Sequence, residues 1–190
     1  MADDNLWYEG ICFPRVNYKP EILRKVREEF VMKDEDVVIV TFPKSGTHWL
    51  IEILCLIHSK GDTKWVQSVP IWERSPWIET EYGFELVNEK EGPRLLTSHL
   101  SIRLFPKSFF SSKAKVIYVI RNPKDIIVSS YFFWNSVNLA KKPKSVEQYL
   151  EWFMEGNETE CHFVALGRVL CRHSSQQPPV LGLRLPQPPE

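Results

Sequence analysis

Residues 36–58, DVVIVTFPKSGTHWLIEILCLIH, contain a strand, a turn and a helix in succession and decide the fold of this chain. Residues 37–42 form an apolar, largely β-branched run, which is typical of a strand buried on both faces of a parallel sheet. The turn at residues 43–47 contains a lysine, two hydroxyl groups and a glycine. Residues 49–58 then carry apolar side chains at helical spacing. The stretch therefore predicts a P-loop-like strand–loop–helix unit.

The turn of this unit is a candidate anion site. A strand that feeds a helix through a tight turn points unpaired backbone N–H groups and the positive end of the helix dipole at one place. Gly46 lets the backbone approach an anion closely, and Lys44 adds a full positive charge. Ser45 and Thr47 add hydroxyl donors. The alternative is an ordinary turn between a strand and a helix that happens to contain a lysine.

Length and composition favour one globular domain with a large apolar interior. The chain has 190 residues, of which 43% are hydrophobic and 13% aromatic. Its formal net charge is zero, so the total charge does not indicate a nucleic-acid or membrane partner. Residues 101–150, however, contain nine Lys or Arg residues against two acids, which suits an anionic ligand.

Cysteine usage and the first residues predict a soluble cytoplasmic protein. The four cysteines include no CxxC pair, which is typical of reduced thiols. The chain starts with the acidic sequence MADDN instead of a secretory signal, and no apolar run is long enough to span a membrane. No metal site is predicted, because the one candidate zinc set does not match a standard spacing: Cys161, His162, Cys171 and His173.

Strands and helices alternate along most of the chain. Further strands are predicted at residues 94–98 and 115–120, and further helices at residues 20–30, 123–134 and 145–153. This alternation predicts an α/β fold with a central parallel sheet and flanking helices. Residues 6–18 and 63–87 show no clear period and are expected to be irregular.

Three chemically active residues follow the predicted strands. Lys44, His99 and Arg121 each lie at or just beyond the carboxyl end of a strand. Ligands of parallel α/β sheets bind beyond that edge. We therefore expect these three side chains to belong to one active site.

Four aromatic residues are candidates for a substrate pocket. Trp72 and Trp77 lie in the irregular segment, and long segments of that kind are uncommon unless they bind something. Phe133 and Trp134 lie on the helix that follows Arg121. The set suits a flat apolar substrate and suits ordinary core packing equally well.

The loop is not a standard nucleotide-triphosphate loop. The Walker motif places its lysine directly after the second glycine, whereas Lys44 precedes Gly46. Arg121 also stands where an NTPase often has a magnesium-binding aspartate. A P-loop-type kinase, which would bind ATP with magnesium, is therefore disfavoured. The pattern favours a nucleotide held by protein cations and transfer of a group less charged than phosphoryl.

Two long motifs resemble the cytosolic sulfotransferases. They are FPKSGTHW at residues 42–49 and RNPKDIIVS at residues 121–129. Three shorter stretches, WERSPW, SHL and FPKSFFSSKAKVIY, look most similar to the hydroxysteroid and bile-salt branch. The resemblance covers residues 6–157.

The resemblance implies a co-substrate, 3′-phosphoadenylyl sulfate, held between the two motifs without a metal. The residues that match the family's 5′-phosphosulfate loop are Lys44, Ser45, Gly46, Thr47 and Trp49. His48 lies in the same loop, is counted with the binding residues, and replaces the branch's usual asparagine. Arg121 and Ser129 match the 3′-phosphate site, where an arginine fork fits a phosphate well.

The resemblance also implies the reaction. The family transfers a sulfonate group to a hydroxyl, here that of a steroid, bile salt or similar alcohol. His99 matches the general base, and an ordinary histidine pKa of about 6.5 would let it accept the hydroxyl proton near neutral pH. Lys44 would stabilise the charge that develops on the leaving phosphate oxygens. The expected partner is a small hydroxylated lipid, with no nucleic acid and no membrane.

The end of the chain departs from the family. Residues 1–157 are predicted to be the N-terminal part of a sulfotransferase domain, so the fold is expected to be incomplete. Residues 158–190 read as an unrelated, disordered, Pro-rich tail. The family's later donor-binding element and dimer motif are not found, which predicts a C-terminally truncated monomer. The alternative function is a catalytically inactive truncated isoform with weak or no nucleotide binding.

Overall fold

The computed structural model describes residues 5–137, 142–155 and 180–184. A four-stranded parallel sheet with strand order β4–β3–β5–β6 forms its centre, and a separate antiparallel hairpin consists of β1 and β2. The strands are β1 (Asn5–Tyr8), β2 (Ile11–Pro14), β3 (Val37–Thr41), β4 (Leu95–Ser98), β5 (Lys115–Ile120) and β6 (Val180–Arg184).

Helices follow or flank these strands. They are α1 (Pro20–Glu28), α2 (Thr47–His58), α3 (Thr63–Ser68), α4 (Ile71–Arg74), α5 (Glu81–Glu89), α6 (Pro123–Ser136) and α7 (Val146–Glu155), with a 3-10 turn at Lys107–Ser111. The predicted α/β fold with a parallel sheet and flanking helices is therefore confirmed.

The central strand β3 is buried on both faces, as its uninterrupted apolar sequence predicts. Val38 and Val40 face a core shared with α1, the hairpin and α5. Ile39 faces the opposite side, where it packs with Leu50 and Ile51 of α2. Because successive side chains of a strand point to opposite faces, the sheet separates two cores. This packing fixes where the loop between β3 and α2 lies.

Side-chain caps explain where several helices begin. Asn122 Oδ1 accepts the backbone N–H of Lys124 at 3.0 Å, which starts α6 as its sequence predicts. Ser145 Oγ accepts from the N–H of Gln148 at 3.2 Å at the start of α7. Both bonds lie where the helices predicted at residues 123–134 and 145–153 begin.

Two segments that we expected to be irregular are ordered. Residues 6–18 include the β1–β2 hairpin, and residues 63–87 include α3, α4 and most of α5. The prediction missed the local caps: Asp62 Oδ1 accepts from Lys64 N at 2.9 Å, and Thr80 Oγ1 accepts from Gly83 N at 3.1 Å. These bonds start helices of six and nine residues, α3 and α5.

Five residues of the segment that we expect to be a disordered tail, Val180–Arg184, form the strand β6. Val180–Arg184 pairs in parallel with β5, with Val116 opposite Val180 and Ile120 opposite Arg184. A short apolar run can satisfy the N–H and C=O groups that β5 exposes on the side away from β3. The rest of residues 158–190, including Cys161, His162, Cys171 and His173, lies outside the described residues. The division at residue 157 stays a prediction.

Two kinds of feature are missing from the described ranges. No helix there combines the length and the apolar character needed to cross a membrane. The same ranges contain no group of three or more His, Cys, Asp or Glu residues that could hold a metal ion.

Candidate active site

A cavity of about 820 Å³ lies at the carboxyl ends of β3, β4 and β5. The structure brings nearly all of the predicted site residues to its wall: Lys44, Gly46, Thr47, His48, Trp49, Trp72, Trp77, His99, Arg121, Ser129, Phe133 and Trp134. Ser45 is the exception, because its side chain is fully buried and does not line the cavity. Its hydroxyl oxygen has no hydrogen-bond partner among the described residues.

The loop between β3 and α2 presents backbone N–H groups to this cavity. Lys44 and Gly46 have φ angles of +65° and +99°, in the left-handed region, which lets the chain turn sharply into the helix. The first bond of α2 runs from Leu50 N to Gly46 O at 3.0 Å. The N–H groups of residues 47–49 precede that bond and therefore have no partner within the helix. They can bind an anion.

The two predicted binding motifs are in direct contact. Arg121 Nη1 donates to the carbonyl oxygen of Lys44 at 2.7 Å, which places the guanidinium beside the loop. The Lys44 Nζ atom lies 4.2 Å from the centre of the Phe133 ring, within reach of a cation–π interaction. Ser129, on α6, lies in the same wall. Lys44, which precedes α2, and Arg121, which precedes α6, thus lie next to each other in the cavity wall.

The hydrogen bonds of His99 fix its tautomer. Nε2 lies 2.9 Å from Trp77 Nε1, and an indole nitrogen can only donate. Nδ1 lies 2.9 Å from the carbonyl oxygen of Thr41, which can only accept. His99 therefore carries its proton on Nδ1 and has its lone pair on Nε2. This is the tautomer that could accept a proton through Nε2.

The protonation of His99 differs from the expectation based on its ordinary pKa. Burial lowers the pKa of His99 to about 4, and the bond to Thr41 O only partly opposes this effect. The imidazole is therefore neutral throughout the physiological range. It is in the correct state for a general base, but it binds a proton more weakly than a solvent-exposed histidine.

The sequence analysis missed Glu79, which lies directly behind His99. Its side chain is fully buried, and Oε1 accepts the backbone N–H of His99 at 2.7 Å. Burial raises the pKa of Glu79 to about 7. The bond joins the segment after α4 to the end of β4 and fixes the backbone of His99. No local pattern indicates this contact, because twenty residues separate the two partners in sequence.

The charge of the cavity wall suits an anionic ligand. Lys44 and Arg121 contribute positive charge, and His48 and His99 contribute imidazoles. Among the described residues that line the cavity there is no Asp or Glu. Together with the N–H groups at residues 47–49, the cations Lys44 and Arg121 fit a ligand that carries several phosphate or sulfate oxygens.

The other walls of the cavity are aromatic. Trp72 is 53% exposed and Trp134 is buried, so the two lie at different depths. Tyr18 from the segment after the hairpin and Tyr82 from α5 complete the wall, although the sequence did not single them out. The cavity wall therefore contains a cationic part and an aromatic part, which adjoin where Lys44 Nζ faces the Phe133 ring.

Comparisons with known proteins identify the sequence family. A sequence model described as the sulfotransferase domain matches residues 34–173. The chain is 71% identical over 157 residues to sulfotransferase 2A1 of Macaca fascicularis, and the match covers 83% of this chain and 55% of that protein. It is 62% identical over 157 residues, with the same coverage, to 3-beta-hydroxysteroid sulfotransferase of Cavia porcellus. The chain thus spans about half the length of these relatives.

A solved structure shares the fold. Mouse sulfotransferase SULT7A1, in a crystal structure with PAP, superposes with a TM-score of 0.79 at 25% sequence identity. The superposition covers 95% of this chain and 61% of the mouse chain.

Proposed function

The chain belongs to the sulfotransferase family, and from this premise we propose that it transfers a sulfonate group from 3′-phosphoadenylyl sulfate to the hydroxyl of a steroid, bile salt or similar alcohol. One observation carries the proposal: Lys44, His99 and Arg121 line the same cavity at the edge of the sheet. The similarity to proteins named for hydroxysteroid sulfotransfer supports this choice of acceptor.

The cationic part of the cavity wall is the proposed donor site. The N–H groups at residues 47–49 and Lys44 would hold the phosphosulfate, while Arg121 and Ser129 would hold the 3′-phosphate. Ser45 would support the loop from beneath, since its side chain does not reach the cavity. The donor supplies an activated sulfonate on a phosphate leaving group.

Two side chains would carry the chemistry. His99 Nε2 would accept the proton of the acceptor hydroxyl, since the bond from Nδ1 to Thr41 O keeps the lone pair on Nε2. Lys44 would stabilise the negative charge that develops on the leaving oxygens. Neither role requires a metal ion.

The aromatic part of the cavity wall is the proposed acceptor site. Trp72, Trp77, Phe133 and Trp134 provide flat apolar surfaces, which match the faces of a fused-ring lipid. The acceptor hydroxyl would then point at His99. The cytoplasmic location and the monomeric state of the chain stay predictions.

A transfer assay tests the proposal. The purified chain, incubated with sulfur-labelled donor and a hydroxysteroid, is expected to form labelled steroid sulfate. Lys44→Met is expected to lower kcat by about 10²–10³-fold, because it removes a preorganised charge from the leaving group. Lys64→Met removes an exposed lysine that does not line the cavity and is the matched control. Absence of transfer by the wild-type chain, alongside an active reference enzyme, would contradict the proposal.

Nucleotide binding gives a second prediction. Adenosine 3′,5′-bisphosphate is expected to raise the melting temperature, because a ligand at 100 times its Kd stabilises the folded state by about 2.7 kcal/mol. Arg121→Lys is expected to weaken binding by roughly 10–100-fold, since the charge stays but the two-pronged contact to a phosphate is lost. Thermal shift measured over a range of nucleotide concentrations gives both affinities.

The control for this experiment is Lys124→Ala, in the first turn of α6. Lys124 is exposed and does not line the cavity, so its removal changes the net charge without removing a proposed contact. Wild-type affinity in Arg121→Lys would show that Arg121 acts only through its charge. A loss in Lys124→Ala as large as that in Arg121→Lys would show that the effect is not specific to the proposed contact. A wild-type melting temperature that does not respond to the nucleotide would favour the alternative of an inactive isoform.

A further inference from the structure

The indole N–H of Trp77 points at the lone pair that the proposed base needs. Trp77 Nε1 donates to His99 Nε2 at 2.9 Å. We propose that Trp77 is a positioning residue that caps His99 in the acceptor-free site, and that its side chain turns away when an acceptor hydroxyl replaces it. The displacement of the indole by an acceptor hydroxyl rests on the proposed function, whereas the hydrogen bond between Trp77 and His99 does not.

The cap and the acceptor compete for the same atom. Neutral imidazole has a single lone pair available for hydrogen bonding, and in His99 it lies on Nε2 because Nδ1 donates to Thr41 O. The Trp77 N–H already uses this lone pair. A hydroxyl that is to give its proton to His99 must donate to the same atom. The acceptor therefore cannot reach the base until the indole leaves.

The backbone of Trp77 is held, so this movement is confined to its side chain. Trp77 forms a parallel bridge with Thr97 of β4, and its carbonyl oxygen accepts from Thr80 Oγ1 at 2.9 Å. A Cβ atom added at Gly83 would lie 2.0 Å from that oxygen, so α5 packs directly against it. The indole, in contrast, is only partly buried and lines the cavity. Rotation about its side-chain torsions is therefore the available movement.

The cap favours acceptors that resemble an indole in shape and surface. The Trp77 ring also packs edge-on against the ring of His48, with 5.7 Å between their centres. A flat apolar acceptor that enters beside Trp72 and Phe133 can replace some of the apolar contact that the displaced ring loses. A small alcohol replaces only the hydrogen bond. Trp77 would therefore select broad, rigid alcohols over small ones.

NMR titration of His99 in the acceptor-free full chain tests the cap. An N–H donated to Nε2 stabilises the neutral imidazole, so its removal raises the pKa. Trp77→Phe is expected to raise the proton affinity of His99 by roughly two- to tenfold. This is the effect of losing one hydrogen bond to the neutral imidazole. The other ionisable groups around the imidazole are His48, Lys44 and the buried Glu79, and all are retained in this variant.

Trp72→Phe is the matched control, and His99→Asn identifies the His99 signals. Trp72 lines the same cavity, so Trp72→Phe also replaces an indole of the cavity wall by a phenyl ring. It does not remove the bond to His99 Nε2. Its titration is expected to match that of the wild type. An unchanged pKa in Trp77→Phe, or an equal rise in Trp72→Phe, would overturn the cap, because solvent entry alone would then explain the result.

Acceptor kinetics test the functional consequence. Trp77→Phe is expected to lower the ratio of kcat/KM for a hydroxysteroid to that for a small alcohol by roughly two- to tenfold. Both acceptors no longer have to displace an indole bond, but the steroid gains less, because its ring contacts already offset part of that cost in the wild type. The KM for the donor should stay unchanged. An unchanged ratio would overturn the selecting role. If the pKa rises but the wild-type chain transfers no sulfonate, the proposed function fails and the capping bond stands.

Discussion

His99→Asn is expected to lower kcat for sulfonate transfer by about 10²–10⁴-fold, the usual contribution of a general base. Asparagine suits this test because its amide NH₂ can take the place of Nδ1 and donate to Thr41 O. Its side chain is too short to reach Trp77 Nε1 in the place of Nε2. The variant therefore loses the proton acceptor and keeps the bond that holds the residue to β3. Single-turnover rates at saturating donor and acceptor give the effect on the chemical step.

The pH dependence of the wild-type chain gives a second measure of the same residue. A base must be unprotonated to act, so activity falls as the pH drops through the pKa of His99. Because burial lowers that pKa to about 4, kcat/KM for the acceptor is expected to stay nearly flat between about pH 5 and 7 and to fall near pH 4. An exposed histidine would place the fall near pH 6.5.

Nucleotide affinity is the internal control for His99→Asn. The proposed donor contacts lie in the β3–α2 loop and on α6, so the thermal shift caused by adenosine 3′,5′-bisphosphate should be the same in the variant and the wild type. A loss of kcat that is smaller than tenfold would contradict the assignment of His99 as the base. A loss of both kcat and nucleotide binding would indicate a damaged fold instead.

The parts of the site that could be predicted are those that local sequence determines. The apolar run of β3, the polar turn and the spacing in α2 each identify their own structure, and they place Lys44 beyond a strand. Arg121 follows β5 in the same way. Because parallel strands end at one edge, two such local predictions are sufficient to bring both cations to one cavity.

The parts that could not be predicted depend on contacts between distant residues. Trp77 and His99 are separated by twenty-two residues, and their hydrogen bond forms only because the segment before α5 bridges to β4. The same packing buries Glu79 against the backbone of His99. It also lowers the pKa of the imidazole, which composition and spacing cannot indicate. The chemical state of the base is thus a property of tertiary structure.

A buried ion pair at the opposite edge of the sheet stabilises the fold and takes no part in the proposed reaction. Asp36 directly precedes β3 and Arg94 directly precedes β4, and both side chains are almost completely buried, with 0% and 3% exposed. Arg94 Nε donates to Asp36 Oδ1 at 2.9 Å, and Nη2 donates to Oδ2 and to the carbonyl oxygen of Val31. Asp36 Oδ2 also accepts the N–H of Lys33 at 2.8 Å. The pair joins both strands to the segment after α1.

Arg94→Met is expected to lower the free energy of unfolding by about 3–5 kcal/mol, because it leaves the Asp36 carboxylate buried without its counter-charge. Urea denaturation gives the change, and a loss of about 1 kcal/mol or less would contradict the prediction. Arg24→Met is the matched control, since Arg24 pairs with Glu29 at the surface and both side chains are more than half exposed. That substitution is expected to cost less than about 1 kcal/mol.

The combination of Arg94→Met with Asp36→Leu separates the cost of an orphaned charge from the worth of the pair itself. The double variant has no buried charge left at this position, so its destabilisation is expected to be smaller than the sum of the two single effects. Additive effects would mean that each side chain stabilises the fold through its own separate contacts. Since the pair lies at the amino ends of the strands, kcat per folded molecule is expected to match the wild type. A parallel loss of kcat would mean instead that the two edges of the sheet are energetically coupled.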